Sequence, residues 1–287
     1  MTAVPTPARR VEPSRLARSV FVHLTLAGYS LLVLFPIVIV LINSFKTRRA
    51  IFDDPLGLPT AATLSVVGYG KVLGNAAIGS MFANSVIVTG CSLLLILLFG
   101  AMAAWALTEY KFPGNRLLAL FLAFGIMVPI RLGSVSILQT MVALDLVNTL
   151  TALVLVYVAQ GLPLAILILS EFIRQVPGEL KDAARCDGVS EYVIFLRVVL
   201  PLVRPAVATV GVFTMVPIWN DLWFPLILAP SEGTQTLTLG VQQFIGQFAT
   251  DWNAVLAALS LAVLPVLVVY ALLSRQLIRG ITAGAVK

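Results

Sequence analysis

The feature that most limits how this chain can fold is a series of long apolar runs. Six of them are long enough to cross the hydrocarbon core of a bilayer, which is about 30 Å thick and takes about 20 residues of helix. A bilayer offers no hydrogen-bond partners to an exposed backbone, so each span should be helical. The sequence therefore predicts an all-α polytopic membrane protein with six transmembrane helices, at about residues 22–42, 82–107, 117–138, 150–170, 206–228 and 253–273.

The composition excludes an ordinary soluble domain. Of the 287 residues, 59% are hydrophobic and only 11% are charged, whereas soluble domains carry about 25% charged residues. The net charge is +6. The basic residues are not clustered with aromatic residues, which indicates that they are topology signals and argues against a nucleic-acid surface. On this topology Cys91 and Cys186 cannot pair, and we expect no metal site, because no His/Cys/Asp/Glu group has ligand spacing.

The basic residues predict the orientation. Four arginines precede the first run, which favours an uncleaved anchor with a cytoplasmic N-terminus, and six spans then return the C-terminus to the cytoplasm. Fourteen of the 19 Lys and Arg residues fall on the cytoplasmic side of this arrangement. The predicted organisation is a cytoplasmic tail at 1–19, a transmembrane domain at 20–275 with a cytoplasmic loop at 171–205, and a cytoplasmic tail at 276–287.

The cytoplasmic loop holds an unusual concentration of acids and bases for so apolar a chain. We expect a helix of about two turns from Glu179 to Asp187, a cap at Gly188, and a second helix that begins at Ser190 and ends at Pro201. The first helix would present a small apolar face with charges of both signs around it. That face is formed by Leu180, Ala183 and Ala184, and its rim by Glu179, Lys181, Asp182 and Arg185.

Two interpretations of this loop are open. Small apolar residues inside a mixed-charge rim favour a docking surface, because they allow close approach and fix orientation. The alternative is an amphipathic connector lying on the lipid headgroups. Such a connector should carry more Lys and Arg and larger apolar residues than this one does.

The loop resembles the EAA motif of ABC importer permeases, which reads E-A-A, three residues, G, nine residues, I, one residue, L-P. All spacings match, with Asp and Val replacing Glu and Ile. The matching residues are Asp182, Ala183, Ala184, Gly188, Val198, Leu200 and Pro201. The segment Trp219–Leu226 and the tail from Arg279 to Lys287 are similar to the carbohydrate-importing branch, in particular to the second maltose-permease subunit. Arg131 departs from that pattern, which has an uncharged polar residue there.

The resemblance implies a subunit that transports a sugar, with an oligosaccharide favoured, across a bacterial or archaeal plasma membrane, and that is not itself an enzyme. It implies a second, similar permease, two ATPase subunits that use ATP and Mg, and an extracytoplasmic sugar-binding protein as partners. No G-x-x-x-x-G-K-[ST] motif is present, so ATP hydrolysis should belong to the partners, and we expect no cofactor bound by this chain. The residues expected to couple transport to ATP hydrolysis are Glu179, Asp182, Ala183, Ala184, Asp187, Gly188, Leu200 and Pro201.

Polar residues at membrane depth are candidates for the substrate pathway, because they are costly to place there. Amide, carboxylate and indole groups together suit a sugar, although hydrogen bonds between helices and an aromatic belt at the interface would use the same residue types. The candidates are Asn220, Asp221, Trp219, Trp223, Gln160, Tyr157 and Asn84.

Other classes remain open. A permease for another solute, such as glycerol phosphate or a polyamine, would share the same architecture, but a phosphorylated substrate should need more bases in the pathway than Arg131. A secondary carrier should have an intramembrane ion or proton site, for which Asp221 is the only acid in the middle of a predicted span. A membrane enzyme should show a nucleophile and base, and the sequence offers none.

Overall fold

The structure is a computed structural model, and it describes residues 13–245 and 250–285 of the chain. The predicted cytoplasmic tails fall partly outside this range, at residues 1–12 and 286–287. Within the described part, the regular elements are helices: α1 Pro13–Ser44, α2 Arg48–Asp53, α3 Val67–Gly74, α4 Ala76–Glu109, α5 Asn115–Met127, α6 Ser134–Ala143, α7 Leu150–Arg174, α8 Gly178–Cys186, α9 Glu191–Ile194, α10 Leu200–Leu202, α11 Arg204–Trp219, α12 Trp223–Leu228, α13 Leu237–Val241 and α14 Trp252–Ala285.

The described part contains four helices whose length and apolar composition suit a membrane span, and up to six spans if each of two bent helix pairs counts as one. The four are α1, α4, α7 and α14, and they contain the predicted spans at 22–42, 82–107, 150–170 and 253–273. The prediction of an all-helical polytopic membrane protein is therefore confirmed. α14 also continues as helix into the segment predicted to be a tail after residue 275.

The span predicted at about 117–138 is not one straight helix. α5 ends at Met127, a short 3₁₀ turn follows, and the axis bends by 86° before α6. Pro129 causes the break, because its ring disfavours helical backbone at the preceding residue and it has no amide hydrogen to donate. Val128 accordingly has extended backbone.

The span predicted at about 206–228 is also not one continuous helix. α11 ends at Trp219, the chain is non-helical at Asn220 and Asp221, and α12 begins at Trp223. α11 is joined at its other end to the α9–α10 segment with a bend of 76°.

Pro201 does not end the second loop helix as expected. It lies within α10, which follows a π turn from Phe195 to Val199 in which the Leu200 amide donates to the Phe195 carbonyl. π turns and prolines are common causes of helix distortion. This one lets the helix continue to Leu202, and the chain then turns at Val203.

α4 and α7 form the most extensive helix pair in the core, and glycines set their approach. A methyl group added at Gly100 would lie 2.8 Å from the Cβ of Ala165, and one added at Gly161 would lie 2.5 Å from a methyl group of Ile96. Small residues at such contacts let membrane helices pack closely.

α1 has the opposite character, because its apolar side chains are exposed along most of its length. Leu31 and Leu32 are each 71% exposed. Leucines can be left uncovered in this way where the surroundings are lipid or another apolar protein surface.

Candidate functional site

Two clusters of charged and polar side chains stand out in the structure, one around α8 and one at the helix breaks. α8 is the helix predicted in the cytoplasmic loop. It starts directly after Pro177 and ends at Cys186, and Gly188 follows with φ +73°. The Gly188 amide donates to the Arg185 carbonyl at 3.0 Å and the Val189 amide donates to the Ala184 carbonyl at 3.1 Å. This hydrogen-bond pair is the Schellman motif, which explains why glycine suits this position.

The inward side of α8 is held by an acid that the sequence analysis did not single out. Glu109, the last residue of α4, accepts hydrogen bonds from Lys181 Nζ at 2.5 Å and Arg185 Nη2 at 2.5 Å. The Glu109 side chain is only 11% exposed. Lys181 also lies 5.7 Å from the centroid of the Trp105 ring. The interpretation of Lys181 and Arg185 as a free rim around a docking face is therefore wrong, because both contact the chain's own helix bundle.

Arg185 connects α8 to α9 as well. Its Nε donates to Glu191 Oε1 at 2.7 Å, and its Nη1 donates to Asp182 at 2.9 Å. The Tyr110 hydroxyl donates to the same Glu191 at 3.2 Å. These carboxylates raise the pKa of the Arg185 guanidinium, chiefly through the Glu191 hydrogen bond, so this group keeps its charge.

The outward side of α8 carries acidic residues and small residues. Ala183 and Leu180 are exposed there, but Ala184 is half-buried and packs against the hydrophobic core, so the three do not form one free face as expected. Leu200 and Pro201 are half-buried in α10, which packs on the π turn and α11. The exposed candidates for the coupling contact are Glu179, Asp182, Ala183, Asp187 and Gly188.

The second cluster lies where the α5–α6 break meets the α11–α12 break. Asp221, at the latter break, is buried and accepts four hydrogen bonds. Its Oδ1 accepts from Arg131 Nη2 at 3.4 Å and from the Trp223 amide at 3.3 Å. Its Oδ2 accepts from the Tyr157 hydroxyl at 2.9 Å and from the Phe224 amide at 3.1 Å. A carboxylate has about four lone-pair positions, so Asp221 is already satisfied by the protein.

A cavity of about 160 Å³ adjoins this cluster, and Arg131, Tyr157, Gln160 and Asp221 are among its lining residues. The side chain of Arg131 is 68% exposed, compared with 7% for Asp221. Broken helices are tolerated at membrane depth where they are buried in protein or line a cavity. The α11–α12 break meets both conditions, because Asp221 is buried and lines the cavity. Its carboxylate also accepts from the Trp223 and Phe224 amides that the break leaves free.

The structure does not bring all the pathway candidates to this cavity. The buried Trp219 donates its indole N–H to the Ala262 carbonyl at 3.0 Å, in the cluster around α14. Asn84 donates to the carbonyls of Gly233 and Gln235, each at 3.0 Å. Asn220 donates to the Val216 carbonyl of its own helix at 2.9 Å.

Trp223 lies nearer the cavity but does not line it. Its indole N–H donates to Ser134 at 2.8 Å, and the Ser134 hydroxyl donates to the Arg131 carbonyl at 2.6 Å. Tyr157, Gln160 and Asp221 are thus the predicted residues that the fold gathers, and Arg131 is the addition.

Two residues of these clusters, Glu109 and Arg131, were not assigned a functional role from the sequence, although each stands out in it. Glu109 is an acid at the end of an apolar run, and Arg131 is a base inside another. Neither signal identifies a partner, because Lys181 lies 72 residues from Glu109 and Asp221 lies 90 residues from Arg131.

Comparison with known proteins places the chain in a family. The model of the family described as "Binding-protein-dependent transport system inner membrane component" matches residues 96–283. A diacetylchitobiose uptake system permease protein of Streptomyces coelicolor is 33% identical over 264 residues, which covers 91% of this chain and 87% of that protein. A probable starch degradation products transport system permease protein of Thermoanaerobacterium thermosulfurigenes is 31% identical over 258 residues, which covers 90% and 93% of the two chains.

The fold is also similar to that of solved transporters. A chain of a bacterial ABC transporter involved in the import of the acidic polysaccharide alginate aligns with a TM-score of 0.77 at 20% identity, covering 95% of this chain and 99% of that one. The polytopic architecture, the family match and the curated relatives agree that the protein is a component of a transporter and not an enzyme. The chain belongs to the family of inner-membrane permease components of binding-protein-dependent ABC transport systems.

Proposed function

We propose that this chain is the permease subunit of an ATP-driven importer that carries an oligosaccharide into the cytoplasm. It pairs with a second, similar permease to enclose the pathway. Two ATPase subunits bind ATP and Mg on the cytoplasmic side, and an extracytoplasmic binding protein delivers the sugar. Relatives whose names include diacetylchitobiose, starch degradation products and melibiose support the substrate class.

In this proposal the chain crosses the membrane six times, with both termini in the cytoplasm. The bent pair α5–α6 provides the third crossing, and α11 with α12 provides the fifth. The excess of Lys and Arg on the assigned cytoplasmic side supports this orientation. The transmembrane domain is 20–275, the coupling loop is 171–205, and the tails are 1–19 and 276–287.

The observation that carries the proposal is the two-sided character of α8. Its bases are bound inward to Glu109, and its acids and Ala183 are exposed. Such a helix can enter a cleft of an ATPase subunit while it stays attached to the membrane domain. Closure of the ATPase subunits on ATP would then move α8 and switch the pathway between its outward-open and inward-open states.

The cavity beside Asp221 is our candidate for a constriction of the pathway. Arg131, Gln160 and the Tyr157 ring are the groups placed to meet a sugar there, and Asp221 acts through Arg131 and Tyr157. The compensated charge of Arg131 does not favour a phosphorylated solute. A carboxylate whose acceptor positions are all occupied does not favour the proton site of a secondary carrier.

The deciding experiment is ATP hydrolysis by the complex that purifies through an affinity tag on this chain. We expect MgATP hydrolysis in the parent complex and its loss in Gly188→Pro, because proline cannot adopt the φ of +73° that closes α8. Normal hydrolysis in a Gly188→Pro complex present at parental amounts would contradict the coupling role.

The substrate class is tested separately by uptake of diacetylchitobiose, maltotriose and glycerol 3-phosphate into cells. We expect at least one oligosaccharide to enter and glycerol 3-phosphate to be excluded. Uptake that survives ATP depletion but stops with an ionophore would identify a secondary carrier instead.

A further inference from the structure

The cytoplasmic end of α4 carries a buried carboxylate that the proposed coupling role does not yet explain. Glu109 is 11% exposed, and its two oxygens accept separately from Lys181 and Arg185, each at 2.5 Å. Removing one partner of such a buried group leaves an uncompensated charge, which is costly. The three side chains therefore hold one another in place.

This ion cluster bridges a gap that backbone packing does not close. α8 packs mainly on α9 and the π turn, and it has little close contact with the long membrane helices. The side chains of Lys181 and Arg185 reach across that gap to α4. Because Arg185 also binds Glu191 at 2.7 Å, α4, α8 and α9 are joined through one guanidinium.

The other end of α4 is attached just as specifically to the segment before α13. Asn84 donates to the carbonyls of Gly233 and Gln235, and the Leu237 amide donates to Ser85 at 2.8 Å. A methyl group added at Gly240 would overlap the Met81 sulfur. Ser85 and Glu109 lie 24 residues apart in α4, so at about 1.5 Å per residue the helix is a rod of about 36 Å between these two attachments.

From this geometry we propose that Glu109 is the positioning residue for coupling: it fixes α8 to α4, so that a displacement of α8 moves α4 and with it the 233–241 segment at the far end. This inference rests on the proposed role of α8 as the contact with the ATPase subunits. It adds that the displacement enters the membrane domain through the ion pairs as well as through the chain connections of α8.

The local part of the proposal is tested with the natural Cys186, which is exposed on α8. A nitroxide is attached there in a Cys91→Ser background, in the complex purified through this chain. In Glu109→Gln we expect the ratio of mobile to immobile label to rise at least tenfold, because Lys181 and Arg185 lose their buried partner. The matched control is Asp53→Asn, which removes an exposed ion pair with Arg49 and should leave the ratio unchanged. An unchanged ratio in Glu109→Gln would overturn the inference.

The transmission part is tested with a label at the other end of α4. Glu232→Cys is introduced in a background that lacks Cys91 and Cys186, and its mobility is compared before and after addition of MgATP. We expect a shift in the parent complex and its loss in Glu109→Gln, although the ATPase subunits remain bound. A parent complex without a shift, or a Glu109→Gln complex with the full shift, would refute transmission through α4.

Lys181→Gln serves as a second variant if Glu109→Gln reduces the amount of protein in the membrane. It leaves Glu109 paired with Arg185, so we expect an intermediate mobility of the Cys186 label and a reduced shift at position 232. Parental values for both would overturn the inference. The outcome of Gly188→Pro separates the two proposals. If that variant retains ATP hydrolysis, the proposed coupling role fails, whereas if only the Glu109 results fail, α8 couples without this ion cluster.

Discussion

Glu109 and Asp221 are both carboxylates largely withdrawn from solvent, but they are satisfied by different kinds of donor. Glu109 accepts from two long basic side chains that belong to another helix. Asp221 accepts from two backbone amides, one tyrosine and one arginine. The Glu109 cluster therefore joins separate helices, whereas the Asp221 cluster mainly completes a broken one.

The bases of the two clusters differ as well. Lys181 is 13% exposed and serves Glu109, whereas Arg131 is 68% exposed beside the cavity. A base that is largely buried is committed to its partner, while one that is largely exposed still has donors that can meet a ligand. The comparison teaches that two acid–base clusters in one membrane protein can serve attachment in one place and pathway lining in the other.

The largest effect should come from Asp221→Ala. It leaves the Tyr157 hydroxyl, the Arg131 guanidinium and two backbone amides without their acceptor. We expect the free energy of unfolding to fall by about 3–5 kcal/mol, because several buried donors lose their acceptor at once. The measurement is the midpoint of SDS-induced unfolding in mixed micelles. Asn220→Ala is the neighbouring control and should cost about 1 kcal/mol or less, because its amide bonds only to its own helix. Equal effects of the two changes would show that Asp221 does not hold the break together.

A smaller effect is expected at the turn that ends α8. Gly188→Ala should cost about 1–2 kcal/mol, because a Cβ is disfavoured in left-handed backbone. Gly114→Ala is a matched control, since Gly114 has φ +87° in the turn between α4 and α5 and should lose similar stability. Only Gly188→Ala should also lower the ATP hydrolysis recovered with the complex. The same loss of hydrolysis in both variants would mean that stability, and not the orientation of α8, limits coupling.

The exposed member of the Asp221 pair should matter less for stability than the buried one. Arg131→Gln should lower the free energy of unfolding by about 1 kcal/mol or less, because half-exposed ion pairs contribute little and Asp221 keeps its other donors. We expect the rate of uptake of an accepted oligosaccharide to fall clearly, although the protein stays folded and its free energy of unfolding changes little. Uptake that stays at the parental rate would remove Arg131 from the pathway.

The smallest effect should come from an ion pair outside both clusters, between Lys71 and Asp251. Burial raises the pKa of Asp251, but the hydrogen bonds from Lys71 and the Ala254 amide, together with the charges of Lys71 and Arg48, outweigh it and lower that pKa below its ordinary value. A lowered folded-state pKa means that the stabilisation is complete above the unfolded pKa of about 3.9 and is lost as the pH falls through the folded value. Asp251→Asn should therefore cost less than about 1 kcal/mol at neutral pH and remove this acid dependence. If the unfolding midpoints of the parent and Asp251→Asn fall by the same amount as the pH is lowered, the Lys71–Asp251 pair is not the source of this acid dependence.

Local sequence signals predicted those elements whose causes are local. α8 was expected at 179–187 and lies at Gly178–Cys186, with its glycine turn where the spacing placed it. The long helices α1, α4, α7 and α14 follow from apolar length alone. Pro129 is a local cause too, but its position in an apolar run did not reveal whether the helix would kink or bend through 86°.

The functional clusters could be predicted only in part, because their partners are distant in the chain. Trp219 and Trp223 are four residues apart and looked equivalent, yet one packs beside α14 and the other beside α6. The break at Asn220 separates them. The acids and bases of the 171–205 loop were recognised, but which of them face outward depends on Glu109, and nothing near Glu109 in the sequence identifies its partners.

The sequence by itself determined that this protein is a helical membrane protein with a charged loop before its penultimate predicted span, since hydropathy, turn residues and the positions of Lys and Arg act over short distances. The tertiary structure decided which charged side chains are paired inside the protein and which remain exposed. A charge buried in a membrane protein must find a partner wherever the fold brings one, and that requirement depends on the packing of distant helices.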